Sequence, residues 1–383
     1  MTVSAPWRSW RVLAVASFGQ FAFSGFVLGV AAVAPLIRSA YGLSLSQTGW
    51  VVAAASAGPV LVLILWGLLN DRWGERRALT IGLTGCAFAL GAAAASTSYL
   101  GLCLLLLVAS AFGATANVST GRAVIMSFVP PTRGLALGLR QVAAPIGGAL
   151  AGVALPTIAA DGTAPAFVTL AVVCAVGAVF AALWLSPHDP APLVAGAPRM
   201  RRNDPRVWRL AVGCGVFLLP QAVFMGFTAV LLTGERGLSP VAAGAVLGLL
   251  QLVGSGLRVL VGYGSERWSR PVPTLRRMCF AVAAGTLATA AALRAPVGVT
   301  VAVLVVAGAL AMSWNSIPVG LMAEYGGDRG SGYALGIHAT MLFVGSTVAV
   351  PLFAALVEAT SWALAFGVLT AAPAAAWLIL RPL

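Results

Sequence analysis

This chain is poor in charge. Only 9% of its 383 residues are charged, against 60% apolar, and that balance excludes an ordinary soluble domain. Lysine is absent; all 23 basic residues are arginine. The ten acids (Asp71, Glu75, Asp161, Asp189, Asp204, Glu235, Glu266, Glu324, Asp328, Glu358) all fall outside the middle of the apolar runs. The five cysteines (Cys86, Cys103, Cys174, Cys214, Cys279) show no C-x-x-C or Cys/His spacing, so neither a disulfide nor a metal centre is expected. No G-x-S-x-G, H-E-x-x-H, phosphate loop or paired carboxylates occur. That argues against an enzyme, against ATP-driven pumping and against a bound cofactor.

Apolar runs are what the chain does have. Twelve uncharged or nearly uncharged stretches lie at roughly 12–37, 46–69, 78–99, 101–129, 134–158, 164–186, 208–234, 240–263, 275–293, 296–323, 332–356 and 361–380. Several exceed the length a bilayer-spanning helix needs, and they lack the period-two alternation of membrane strands. The expected fold is an all-α membrane protein with twelve transmembrane helices in two pseudo-symmetric six-helix domains, 1–186 and 208–383. A proline- and arginine-rich tether at 187–207 joins them. Arg8 and Arg11 before the first run resemble a signal-peptide start, but the run continues without a cleavage site and reads as a retained span.

The two halves repeat each other. Gly42-Leu43-Ser44, Gly49, Gly67 and Asp71-Arg72-Trp73 recur 195 positions later as Gly237-Leu238-Ser239, Gly244, Gly262 and Glu266-Arg267-Trp268. Gly134-Leu135-Ala136-Leu137-Gly138 recurs 198 positions later from Gly332 to Gly336. Two homologous membrane halves are how many secondary transporters are built. Seventeen arginines lie at the termini or in the even-numbered loops, and the odd loops hold only Arg38, Arg236 and Arg294. By the positive-inside rule both termini and the central tether are expected in the cytoplasm. The net charge of +13 thus reflects topology, and no nucleic-acid partner is expected.

The segment Gly67-Leu68-Leu69-Asn70-Asp71-Arg72-Trp73-Gly74-Glu75-Arg76-Arg77 closely resembles the signature loop of the major facilitator superfamily, G-x-L-x-D-R-x-G-x-R-R. Gly262 to Arg270, with Glu266 and Arg267, is similar to its weaker second copy, and Arg133–Gly138 to the loop between the fourth and fifth helices. The resemblance implies secondary transport by alternating access in a cytoplasmic membrane. It also implies a gating role for Gly67, Asp71, Arg72, Gly74, Arg76 and Arg77 against the start of the eleventh helix near Arg329–Gly332. Two motifs depart from the family. The fourth-helix R-x-x-Q-G has Ala109 and Phe112 at its polar positions. The antiporter motif G-P-x-x-G-G survives only as Ala144-Pro145-Ile146-Gly147-Gly148.

Ionisable side chains inside membrane spans are costly and mark function by default. Here they are Arg122, Arg140, Arg258 and His338, for which snorkelling to the interface is the alternative. Gln251, Gly254, Arg258 and Gly262 form one stripe along a helix, suited to a cavity wall. Gly256-Leu257-Arg258 also looks like the anion-contacting segment of monocarboxylate- and nitrate-type facilitators. Arg140 and His338 are symmetry mates, and His338 is the residue in a span suited to titrate near neutral pH. With intramembrane arginines and no intramembrane acid, the expected cargo is a small organic or inorganic anion. It would be held by Arg258, Arg140, Gln141, Asn117, Gln20, Gln221, Gln251 and Asn315, with His338 as proton carrier. An exporter of hydrophobic compounds, or a sensor without flux, is the alternative. The partners expected are a small-molecule substrate and the lipid bilayer, for a protein working as a monomer.

Overall fold

The computed structural model describes residues 6–128, 130–185, 204–267 and 271–383, and no strand occurs among them. In hydrocarbon a helix satisfies its own N–H and C=O groups, which leaves so apolar a chain little alternative. Among the described residues the helices are α1 (Pro6–Tyr41), α2 (Leu45–Ala94), α3 (Tyr99–Gly113), α4 (Thr115–Ser127), α5 (Pro130–Ile158), α6 (Ala164–Trp184), α7 (Pro205–Gly234), α8 (Pro240–Arg267), α9 (Pro271–Ala292), α10 (Val297–Ser313), α11 (Ser316–Ala359), α12 (Trp362–Leu369) and α13 (Ala371–Leu380). Eleven helical stretches among them are long and apolar enough to cross a membrane, so this is a multi-pass integral membrane protein. The ninth expected span, α9, carries Arg276 and Arg277 near its start and falls short of that apolarity. The chain divides into two compact units: Met1–Gly42 with Ala54–Leu193, and Leu43–Ala53 with Val194–Leu383. Most of the expected tether at 187–207 lies outside the described residues.

The helix boundaries differ from the apolar runs for identifiable reasons. Spans two and three join as α2 across a kink at Gly74, whose φ of 76° and ψ of 163° lie in a region essentially reserved for glycine. Span ten breaks between α10 and α11 because Pro318 has no N–H to offer the carbonyl of Trp314; Ile317 bonds that carbonyl instead, at 3.1 Å. Pro318, expected inside a helix, therefore sits in the first turn of α11, where proline is tolerated. Pro373 breaks span twelve into α12 and α13 in the same way. The loop expected before span eleven is helical instead, as part of α11.

Each unit is centred on a helix pair that meets backbone to backbone. A Cβ placed on Gly147 of α5 would lie 2.5 Å from the carbonyl oxygen of Phe21 and 3.2 Å from the nitrogen of Gly25, both on α1. In the second unit Gly345 of α11 abuts the carbonyl of Gly215 on α7, and Gly215 abuts that of Met341. Gly147 and Gly345 are 198 positions apart, the offset of the later repeat. Lipid tails are as apolar as leucine, so close van der Waals packing of small residues drives this association.

Polar ties hold spans two to four together. Asn70, fully buried, donates from Nδ2 to the Trp66 carbonyl at 2.8 Å and accepts from Ser119 Oγ at 2.9 Å. Trp66 Nε1 donates to the Ala111 carbonyl at 2.8 Å. Arg122 donates from Nε to Glu75 Oε1 at 2.5 Å, with side-chain exposures of 24% and 4%. Arg122 is thus anchored by an acid of the 67–77 loop, which snorkelling alone does not explain.

Gly147→Ala is expected to cost about 1–3 kcal/mol by overpacking against the Phe21 backbone, read as a lower melting temperature in detergent. Glu75→Gln removes one charged partner of Arg122 and is expected to cost about 1–2 kcal/mol. The double variant Glu75→Gln/Arg122→Gln should recover part of that loss in a thermal double-mutant cycle.

Candidate functional site

In the first unit α1, α4 and α5 converge on one guanidinium. Gln20 and Ser24 share a face of α1 at i and i+4, and Asn117 and Thr120 share a face of α4 at i and i+3. Arg140 reaches between them from α5 and is only 8% exposed. Its Nη1 donates to Thr120 Oγ1 at 2.5 Å and to Gln20 Oε1 at 3.4 Å; its Nη2 donates to Gln141 Oε1 at 2.6 Å. Gln20 Nε2 in turn donates to Ser24 Oγ at 3.1 Å and to Asn117 Oδ1 at 3.4 Å. Gly121 of α4 lies beside the guanidinium, where an added Cβ would make ordinary contact with Nη1 at 3.6 Å. Arg140 Nε and Asn117 Nδ2 are buried without a partner.

Every partner of Arg140 among the described residues is neutral. Amide and hydroxyl oxygens recover part of the hydration a buried cation loses, but they do not neutralise it. The free Nε–H adjoins the Nη2 side of the fork, the edge that takes a carboxylate or oxyanion with two parallel bonds. Glu75, the buried acid among the described residues, is engaged with Arg122.

In the second unit the expected residues gather around the break between α10 and α11. Asn315 Nδ2 donates to Gln221 Oε1 of α7 at 3.0 Å, while Asn315 Oδ1 has no partner. Trp314 stacks on Phe217 with centroids 4.6 Å apart. Arg258 donates from Nε to the Met312 carbonyl at 3.2 Å, and its own carbonyl accepts from Ser316 Oγ at 3.3 Å. The stripe expected as a cavity wall packs along this break: Gly254 lies against Met312 and Gly262 against Ser316. Gln251 is fully buried with both amide atoms unpartnered. His338 is 4% exposed, and its Nδ1 has no partner.

Of the signature-loop residues, Gly74 forms the kink, Arg72 and Arg77 are exposed, and Arg76 is half-buried. A Cβ at Gly67 would meet nothing within 4 Å. The side chains of Asp71, Glu266 and Arg267 lie outside the described residues. Three residues that matter here escape a reading of the sequence. Thr120 was signalled only by its one-turn spacing from Asn117. The sequence puts Asn70 and Glu75 in a loop, but α2 continues through Asn70 and resumes after Gly74, so both are buried helical residues.

Comparison with known proteins agrees with this architecture. The sequence profile of the Major Facilitator Superfamily matches residues 14–333. An uncharacterized MFS-type transporter of Mycobacterium tuberculosis is 31% identical over 364 residues, covering 93% of this chain and 82% of the relative. A hexuronate transporter of Bacillus subtilis is 25% identical over 174 residues, 44% of this chain and 40% of its own length. Among solved structures, a D-xylose-proton symporter superposes with a TM-score of 0.78 at 18% identity, over 97% of each chain. A bacterial homolog of the human lysosomal transporter Spinster gives 0.76 at 15% identity, over 99% of this chain and 96% of that one; such likenesses speak to fold alone. With the profile spanning most of its length, the chain belongs to the Major Facilitator Superfamily and is a membrane transporter rather than an enzyme.

Proposed function

We propose that this transporter moves a small anion by alternating access, with Arg140 as the group that holds the negative charge. The observation that carries the reading is the buried guanidinium of Arg140, surrounded by neutral oxygens and keeping Nε free. A carboxylate or oxyanion supplies what that shell lacks, and the fork matches its geometry. Asn117, Gln20 and Gln141 complete the shell. In the second unit Gln221, Gln251 and Asn315 offer neutral polar atoms, and His338 is the proton-coupling candidate. The partial similarity to a hexuronate transporter favours the same class, because a hexuronate is a sugar carrying one carboxylate. Arg258, occupied at the helix break by Met312, is assigned to positioning. The positive-inside distribution supports cytoplasmic termini, with domains 1–186 and 208–383 as the moving halves of this reading.

Thermal stabilisation of the purified protein tests this, since a ligand specific to the folded form raises the melting temperature by mass action. Glucuronate or galacturonate should stabilise the wild type while glucose or galactose does not. Arg140→Gln should weaken that binding about tenfold to a hundredfold, the worth of a charge-assisted hydrogen bond. Arg258→Gln should retain the ligand response. If hydrophobic or cationic compounds alone stabilise, and Arg140→Gln responds as the wild type does, the anion reading fails.

The gating role of the 67–77 loop has its own test. Gly67→Ala enters open space and should leave melting within about 0.5 kcal/mol of wild type, yet reduce uptake into proteoliposomes. Full transport by Gly67→Ala would remove Gly67 from the gate.

A further inference from the structure

Two thiols face each other in the apolar interior of the first unit, unrelated to the Arg140 shell. Cys86 of α2 and Cys174 of α6 are both fully buried, with their sulfurs 3.7 Å apart. We propose that they form a two-coordinate site for a thiophilic divalent metal ion, with the mercuric ion as the species whose charge fits.

Coordination number and charge support this. No group of three or more His, Cys, Asp or Glu side chains able to hold a metal occurs among the described residues. A zinc-like ion, which wants four ligands, is therefore not served, whereas an ion content with two opposed sulfurs is. Metal–thiolate bonds of about 2.3 Å set two such sulfurs about 4.6 Å apart, so the present separation needs only a modest opening. Burying net charge in hydrocarbon is costly. Two thiolates and one divalent ion sum to zero, whereas a monovalent silver or cuprous ion between the same thiolates leaves a buried negative charge. Ala87, Ala171, Ala175 and Ala178, neighbours of the cysteines along their helices, line an apolar groove of about 760 Å³ between α2 and α6. Neither sulfur opens onto that groove, so a neutral metal dichloride lodged there reaches them only as α2 and α6 part. The reaction is a ligand exchange without redox change. Two S–H bonds and two metal–chloride bonds break, two metal–sulfur bonds form, and two equivalents of hydrogen chloride leave.

The test is intact-mass measurement of the purified protein after one equivalent of mercuric chloride and a wash with excess monothiol, which strips singly bound mercury. Wild type should keep one mercury with the loss of two hydrogens, and its digest should contain the Cys86 and Cys174 peptides joined through the metal. Cys86→Ala and Cys174→Ala should lose the retained mercury, and silver should wash off the wild type. The peptide map needs no variant, so it decides the matter even if a substitution unfolds the protein. Mercury washed off the wild type, mapped to Cys103, Cys214 or Cys279, or kept by either variant overturns the assignment. Silver held as firmly as mercury overturns the charge argument.

Discussion

The helical architecture depends on four glycines that let two pairs of helices touch backbone to backbone. In a bilayer there is no solvent-exclusion force to push helices together, and packing distance decides association. Gly25 with Gly147, and Gly215 with Gly345, bring α1 onto α5 and α7 onto α11, where a methyl group on Gly147, Gly215 or Gly345 would collide with a carbonyl oxygen. Arg140 and His338 each lie seven residues, two helical turns, before the crossing glycine of their own helix. Glycine contact and functional candidate share a helix face, so the crossing that builds each unit also fixes the depth and direction of its ionisable residue.

Electrostatics then separates residues that composition alone treats alike. Arg122, Arg140 and Arg258 are all arginines within apolar spans, yet each meets a different partner. Arg122 has a carboxylate, Arg258 a backbone carbonyl beside a helix break, and Arg140 a ring of neutral oxygens. Arg122, paired with an acid, is internally compensated, whereas Arg258 gives one N–H to a neutral carbonyl and keeps its charge. Neither Arg140 nor Arg258 meets an acid among the described residues; Arg140 differs in being ringed by three neutral oxygens with Nε left over, and the proposed anion site rests on that difference.

Much of this is legible in the sequence itself. The apolar runs, the repeats and the arginine distribution point to the bundle, and the later offset pairs Arg140 with His338. Two kinds of information were not readable. The first is where helices begin. An apolar-run reading starts span three at Ala78, so Glu75 looks like a loop acid, whereas the turn needed to leave Asn70 is absorbed by a single positive-φ glycine and the helix resumes at once. The second is which neighbour a helix face meets. The stripe of Gln251, Gly254, Arg258 and Gly262 is real, but periodicity does not distinguish a cavity from another helix, and here small residues admit Met312 and Ser316.

The proline-induced breaks at Trp314 and Leu369 carry a mechanical consequence. Bending an intact helix requires lengthening or losing its i to i−4 hydrogen bonds in a medium that offers no water to replace them. At Pro318 and Pro373 that bond is missing from the outset, so tilting α10 against the start of α11, or α12 against α13, breaks nothing further at that point. These spans are jointed rods whose compliance is concentrated at one depth. In span ten the joint lies beside Asn315 and its polar partner Gln221, so reorienting a side chain and flexing the backbone are coupled there as one motion.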